Sequence, residues 1–434
     1  MAKLSTLSYR GARDYYPEDK RVQSYIFATW RKTVERFGYV EYGAPLLESI
    51  EVYAAKSGQE LVSEQTYTFT DRGDRTVAIR PEMTPSISRM VAARRQEIGL
   101  PARLYSIANF MRYERPQHGR EREFWQLNVD IFGVNNLLAE FEMIRLAHEI
   151  MDAFGASNDD YVIRVNDRKL ISFMMATYLG LDPNEGTAMS KLLDRKDKIT
   201  PEQFEEQARQ IFTDADVSDG YEKLARLLDA KTMADLPEEI LQSDAVHEMQ
   251  SLFTLLNAAK ITNARFDITL MRGLDYYTGT VFEVFDTSPE NNRSLFGGGR
   301  YDGLVGLFGV EPIGTVGMAP GATTMEDFLW THNLLPALPS TTHLGIVSIG
   351  ENLKGALKAA DELRAHGLNV EVDITGRKFD RQIRALDKKS VPYALIVGEQ
   401  EIESGEYTLK NLASGEEQKL ALADVASTIL AQAS

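Results

Sequence analysis

The stretch that most constrains this chain runs from Arg103 to Gly133, RLYSIANFMRYERPQHGREREFWQLNVDIFG. It opens as a strand, with apolar residues at Leu104, Ile107 and Phe110. It then carries Arg112, Glu114, Arg115, Arg120, Glu121, Arg122 and Glu123 within twelve residues. It closes as an alternating strand in which Phe124, Gln126, Asp130 and Phe132 share one parity. Pro116, Gln117, His118 and Gly119 supply the turn. The pattern predicts an antiparallel hairpin with a long arginine-bearing loop. A hairpin that only had to close would use Asn-Gly or Gly-Gly. Arginines at a strand end suit a planar, bidentate grip on phosphate or carboxylate. The structural alternative is a solvated edge hairpin laced by salt bridges. Against it, Gln126 and Asp130 sit among apolar neighbours on the inward parity.

The chain has 434 residues, enough for two to four domains, with 43% hydrophobic and 26% charged residues. No run approaches the roughly 18 apolar residues of a membrane span, and the N-terminal residues lack a signal-peptide apolar core. With no cysteine, disulfides and thiolate metal sites are excluded. The six histidines are scattered, none at metal-ligand spacing. A cytoplasmic location without membrane attachment is expected. A net charge of −16 argues against non-specific coating of nucleic acid. Between Pro201 and Ala245, however, twelve acidic residues stand against four basic ones. That segment holds half of the acidity, which leaves room for a local basic surface elsewhere.

The order FMRYERPQ-GR-REFWQ resembles motif 2 of the class II aminoacyl-tRNA synthetases, and specifically the histidyl-tRNA synthetases. Other segments follow that family's order. The helical pattern from Arg21 to Phe37, Gly38, a strand and Pro45 resembles motif 1, which implies a homodimer. Arg80-Pro81-Glu82-Met83-Thr84 resembles the family's R-P-E-x-T, with strands at Tyr67 to Phe69 and Thr76 to Ile79 before it. Thr84 and Pro85 also read as the cap and first position of a helix. Leu137 to Phe154 is amphipathic, YVIRVN is a strand, and Lys169 to about Lys260 is helical and acidic. Arg272-Gly273-Leu274-Asp275-Tyr276-Tyr277 and Gly297 to Leu304, GGGRYDGL, resemble two histidyl-specific signatures. Glycines there allow close backbone approach to a ligand. Val316 to Leu329 stands where motif 3 is expected. There Gly-x-x-Arg becomes Gly321-Ala322-Thr323-Thr324, so Thr324 replaces the arginine that covers one face of adenine. Arg300 and Arg293 are candidates to take its place.

After a linker at Leu334 to Thr342, strands and helices alternate from LGIVSI to YALIVG, which suggests a largely parallel α/β domain. It resembles the anticodon-binding domain of this synthetase subgroup. Arg377, Lys378, Arg381, Arg384 and Lys388 fit one helical face. With Lys389, Asp380 and Asp387 they make a net +4 patch, either a solvated helix or an RNA contact.

The resemblance implies an α/β and α+β multidomain fold. A class II antiparallel catalytic sheet with flanking helices spans residues 1–333, with a helical insertion over approximately 170–260. An α/β anticodon-binding domain spans 342–434. It implies a histidine–tRNA ligase that activates L-histidine with ATP, its Mg²⁺ carried by the nucleotide and no zinc, and transfers it to histidine tRNA. Arg112 and Arg272 would face the α-phosphate and Arg120 the γ-phosphate, beside Glu114, with Phe124 on adenine. Glu82 and Thr84 would take the amino group with Met83 beside them. Gln126 would lie near the carboxylate, and Asp130, Tyr276, Tyr277 and Tyr301 around the imidazole. Gln117, Arg377, Lys378, Arg381 and Arg384 would meet tRNA. The alternative is the non-catalytic, histidine-sensing regulatory subunit of ATP phosphoribosyltransferase, which shares the fold and generally lacks the terminal domain.

Overall fold

The computed structural model describes residues 4–54, 61–117, 119–196, 199–212, 217–270, 276–291 and 293–433. Its contacts divide the chain into two compact units, Met1–Leu335 and Pro336–Ser434.

The first unit is built on an eight-stranded sheet. Its strands are β1 (Val40–Glu41), β5 (Ala102–Met111), β6 (Glu123–Phe132), β7 (Tyr161–Asp167), β8 (Ala264–Phe266), β9 (Thr280–Asp286), β10 (Ser294–Arg300) and β11 (Thr315–Met318). They lie in the order β1-β5-β6-β11-β10-β9-β7-β8. The interior pairs are antiparallel, and a parallel strand closes each edge, β1 on β5 and β8 on β7. The hairpin expected from Arg103 to Gly133 is its spine: β5 and β6 pair without a break from Ala102↔Phe132 to Met111↔Glu123. Three further strands, β2 (Leu47–Ser49), β3 (Thr68–Thr70) and β4 (Thr76–Ile79), form a small antiparallel sheet ahead of the Arg80–Thr84 segment.

Alternation along β6 decides which side chains meet the core and which meet the site. Leu127, Val129 and Ile131 face one way. They are buried in a core shared with Ile26, Trp30 and Val34 of helix Pro17–Arg36 and with Met143, Ala147 and Ile150 of helix Leu138–Ala153. Phe124, Gln126, Asn128 and Asp130 face the other way, into a cavity. Both parities are therefore largely enclosed, one by helices and one by the site. The helical stretch from Arg168 to Ala258 does not stand apart: Leu170, Met189, Phe204, Leu224 and Leu252 belong to the same core. Gly38, at φ +80°, ends the first helix as its sequence predicts. Thr84 does not cap the helix Thr84–Ala93. Met83 holds the cap position without a side-chain bond, and Thr84 is the first helical residue.

The second unit carries β12 (Leu344–Ser348), β13 (Val370–Val372), β14 (Tyr393–Val397), β15 (Tyr407–Asn411) and β16 (Glu417–Leu420), in the order β13-β12-β14-β15-β16. The first three are parallel, as expected, and the last two add an antiparallel hairpin. β16, three of whose four residues are exposed, lacks the apolar alternation that would mark it as a strand in sequence. Helix Leu353–Ala365 and helix Leu422–Ala433 build this unit's own core.

Candidate active site

The cavity on the open face of the large sheet has a volume of about 360 Å³. Its floor is β6 with Gly297 and Gly298 of β10 and Gly317 of β11. One end is closed and aromatic. The rings of Tyr276, Tyr277 and Tyr301 pack mutually, with centroids 5.3, 5.6 and 6.5 Å apart. Tyr276 donates to Glu82 Oε2 at 3.0 Å, and Tyr301 donates to Asp130 Oδ1. Burial raises all three phenols, so each stays a neutral O–H donor at physiological pH. Burial likewise pushes the Asp130 carboxyl up to about 7, against the lowering effect of the Tyr301 hydrogen bond. Two carboxylates thus sit in one closed end, Glu82 and Asp130, each addressed by a tyrosine. Such a chamber suits a ligand that brings a cation or N–H donors to both.

Glycines make that closeness possible. A Cβ on Gly317 would collide with the Asp130 carboxylate and stand 3.1 Å from the Tyr301 hydroxyl. A Cβ on Gly299 would stand 3.0 Å from the Tyr277 ring and 2.6 Å from the Thr280 carbonyl. The glycine-rich signature therefore seats protein atoms first, and Gly297 and Gly298 also line the cavity.

The other end is open and charged. Arg112 lies over the Phe124 ring at 5.4 Å and donates from Nε to the Pro81 carbonyl at 2.9 Å. Arg120 pairs with Glu114 at 2.9 Å. Thr323 and Thr324 form the facing wall; the Thr324 hydroxyl donates to the Leu295 carbonyl at 2.7 Å, and Thr323 to Glu121 at 3.3 Å. A guanidinium cluster beside an aromatic face suits a polyanion attached to a planar base.

The N-terminal segment holds this loop in shape, a role its sequence did not announce. Arg122 is buried, stacked 4.1 Å from Tyr113 and 5.8 Å from Tyr9, and its backbone N–H reaches the Gly11 carbonyl at 2.6 Å. Gly11, at φ +87°, has no room for a Cβ beside Arg122 and Pro116. Arg13 adds an ion pair to Glu326 at 2.9 Å. Asn128 also lines the cavity and went unread in sequence. Its signal was there, since it stands between Gln126 and Asp130 on the same parity.

The chain matches the model of the histidyl-tRNA synthetase family over residues 11–321 and that of the anticodon binding domain over 343–432. It is 40% identical to a histidine–tRNA ligase of Leptospira biflexa, with 95% of this chain and 94% of the relative covered. It is 34% identical to a histidine–tRNA ligase of Haloarcula marismortui, over 96% and 95%. The chain belongs to the histidyl-tRNA synthetase family. Its fold superposes on the crystal structure of histidyl-tRNA synthetase from Nostoc sp. PCC 7120 with a TM-score of 0.84 at 25% identity, covering 99% of this chain and all of that one.

Within this synthetase framework most of the expected residues converge. Glu82, Thr84, Arg112, Glu114, Arg120, Phe124, Gln126, Asp130, Tyr276, Tyr277 and Tyr301 all line the one cavity. Arg272 lies outside the described residues. Met83 departs from expectation: its side chain is buried with Ala108 and Phe110 and does not reach the cavity. Arg300 cannot cover adenine. It is 7% exposed, doubly bonded to Glu140 and to the carbonyls of Val134 and Asn136. Alternation sends the last residue of β10 into the core, where only a carboxylate makes a guanidinium tolerable. Arg293 is exposed and donates to Gln117 at 3.0 Å, outside the cavity lining.

In the second unit the basic residues do not share one helical face. The helix begins at Phe379, after Arg377 and Lys378. Arg377 is folded back onto Asp373 at 2.7 Å, and Lys389 onto Glu371 at 2.8 Å. Arg381, Arg384 and Lys388 remain at helical spacing on the exposed side. Among the described residues no helix is long and apolar enough to cross a membrane, and no group of acidic or histidine side chains is placed to hold a metal ion.

Proposed function

We propose that the chain is a histidine–tRNA ligase. It joins the carboxylate of L-histidine to the α-phosphate of ATP, releasing pyrophosphate, and then passes the histidyl group to histidine tRNA, releasing AMP. The observation that carries this reading is the two-ended cavity: a closed end with two tyrosine-addressed carboxylates, Glu82 and Asp130, continuous with an arginine-lined end.

Glu82 and Thr84 receive the ammonium group, and Asp130 with Tyr277 and Tyr301 addresses the imidazole. Gln126 stands on the same strand face towards the phosphate end, where it orients the carboxylate. That carboxylate is already a nucleophile and needs no base. The obstacle is its repulsion from the triphosphate, which Arg112 and Arg272 offset at the α-phosphate. Arg120 exchanges Glu114 for the γ-phosphate. Phe124 takes one face of adenine, and the wall at Thr323 and Thr324 receives the other without a cation. Mg²⁺ arrives with the nucleotide. Arg381, Arg384 and Lys388 of the second unit, with Lys378 and the loop-tip Gln117, supply tRNA contacts, while Arg377 is held by Asp373. The molecule works as a cytoplasmic homodimer.

The altered wall at Thr324 is the one feature that favours the histidine-sensing regulatory subunit instead. Near-complete coverage by histidine–tRNA ligases and the matched terminal domain oppose it. Aminoacylation of histidine tRNA by purified protein tests the proposal. Histidine-dependent pyrophosphate exchange followed by charged tRNA supports it. Histidine binding with neither reaction overturns it in favour of the regulator.

A further inference from the structure

Among the described residues, Asp130 Oδ2 and Asn128 Nδ2 near the closed end are buried without a hydrogen-bond partner, and behind them Ser106 Oγ and Tyr42 Oη have no well-aligned one. They belong to one patch. Asn128 and Asp130 are two residues apart on β6 and both line the cavity. Ser106 is the cross-strand partner of Asn128 on β5. Tyr42 is tied to the same strand, its backbone N–H donating to the Tyr105 carbonyl at 2.8 Å. The Tyr42 and Ser106 hydroxyls meet in a poorly aligned hydrogen bond, and the Asp130 charge reaches Tyr42.

A buried polar group left unpaired costs on the order of 1–3 kcal/mol, and buried polar atoms as a rule find partners. Polar atoms left this way in one patch cost the empty fold stability. Their partners come with the ligand and its water. We infer that Asn128, backed by Ser106 and Tyr42, is a specificity-determining residue for the substrate ring, setting an N–H donor beside the Asp130 acceptor. A neutral imidazole carries the complementary pair, one N–H and one bare nitrogen. Ser106 and Tyr42 lie behind the cavity lining and reach the ring through a bound water. The inference rests on the proposed activation of histidine and names the residues that read its ring.

Its signature is a pair of effects with opposite signs. Removing such a polar atom relieves the empty protein but takes a partner from the ligand. The probes are L-histidine and β-(2-thienyl)alanine, a five-membered-ring amino acid with no ring nitrogen. In Tyr42→Phe and Asn128→Leu the melting temperature without ligand holds or rises, while the shift produced by histidine shrinks. In pyrophosphate exchange, Asn128→Leu narrows the preference for histidine over thienylalanine by roughly tenfold or more, with the KM for ATP unchanged. Should Asn128→Leu not fold, Tyr42→Phe, which deletes a single oxygen, carries the test through its two melting temperatures. Variants that melt lower and keep wild-type histidine affinity and preference assign these residues to structure and overturn the inference alone. A wild-type protein that binds no histidine overturns the proposed function and the inference together.

Discussion

Asp130→Asn should make the empty protein more stable at neutral pH while disabling its recognition of histidine. The Asp130 carboxyl is raised from an ordinary 3.8 to about 7, chiefly by burial. In the unfolded chain it ionises near its ordinary value. Between those two values the folded protein holds a proton that the unfolded chain has lost, so stability falls as pH rises from about 4 to about 7 and then levels off. Each unit corresponds to about 1.4 kcal/mol, so the full span amounts to about 4 kcal/mol. Polarisation of the surrounding protein, whose effective dielectric is well above that of a dry interior, lowers that to about 2–4 kcal/mol. Asparagine matches the carboxylate in shape, still accepts from Tyr301 and does not ionise. Denaturant unfolding of both proteins at pH 5, 6, 7 and 8.5 should therefore show an advantage for the variant that is small at pH 5 and greatest at pH 8.5. Histidine affinity, measured by calorimetry, should drop by roughly tenfold or more with ATP affinity intact. A stability difference that does not change with pH would refute the account, as would a variant weaker than wild type throughout.

Arg300→Ala should destabilise by about 3–5 kcal/mol, since it leaves Glu140 charged and buried. The KM for ATP in the surviving folded fraction should be unchanged, whereas a selective rise would return Arg300 to the nucleotide site. Thr324→Arg should tighten ATP roughly two- to thirtyfold, the worth of a guanidinium on an aromatic face, read as a lower KM in pyrophosphate exchange. No change would mean that adenine does not lie against that wall. Ending the chain at Leu335 should leave histidine activation partly intact and sharply reduce transfer to tRNA, because the cavity lies wholly within the first unit. Equal loss of both steps would tie the second unit to the chemistry.

Much of the local order was legible in the residues alone. Period-two alternation marked β5 and β6, and parity along β6 named Phe124, Gln126 and Asp130 as inward. Gly38 marked the end of a helix, and the alternating strands and helices after the linker marked an α/β unit. These features depend on neighbours within a few residues, where backbone geometry and periodicity leave little choice. The same parity includes Asn128, which lines the cavity with them.

Periodicity names a face but not the group that will stand opposite it, and there the tertiary structure decided. Tyr276 meets Glu82 across 194 residues and Tyr301 meets Asp130 across 171. Arginine shows the limit most plainly. Arg112 and Arg300 both stand at strand ends beside catalytic-looking signatures. Arg112 opens onto the cavity beside Phe124. Arg300 is drawn into the core by Glu140, a residue 160 positions away. Arg377 and Lys389 likewise look like free cations in sequence but are spent on Asp373 and Glu371. A charge costs too much to bury alone, so the partner brought to it by the fold sets whether it supports the structure or remains for a ligand.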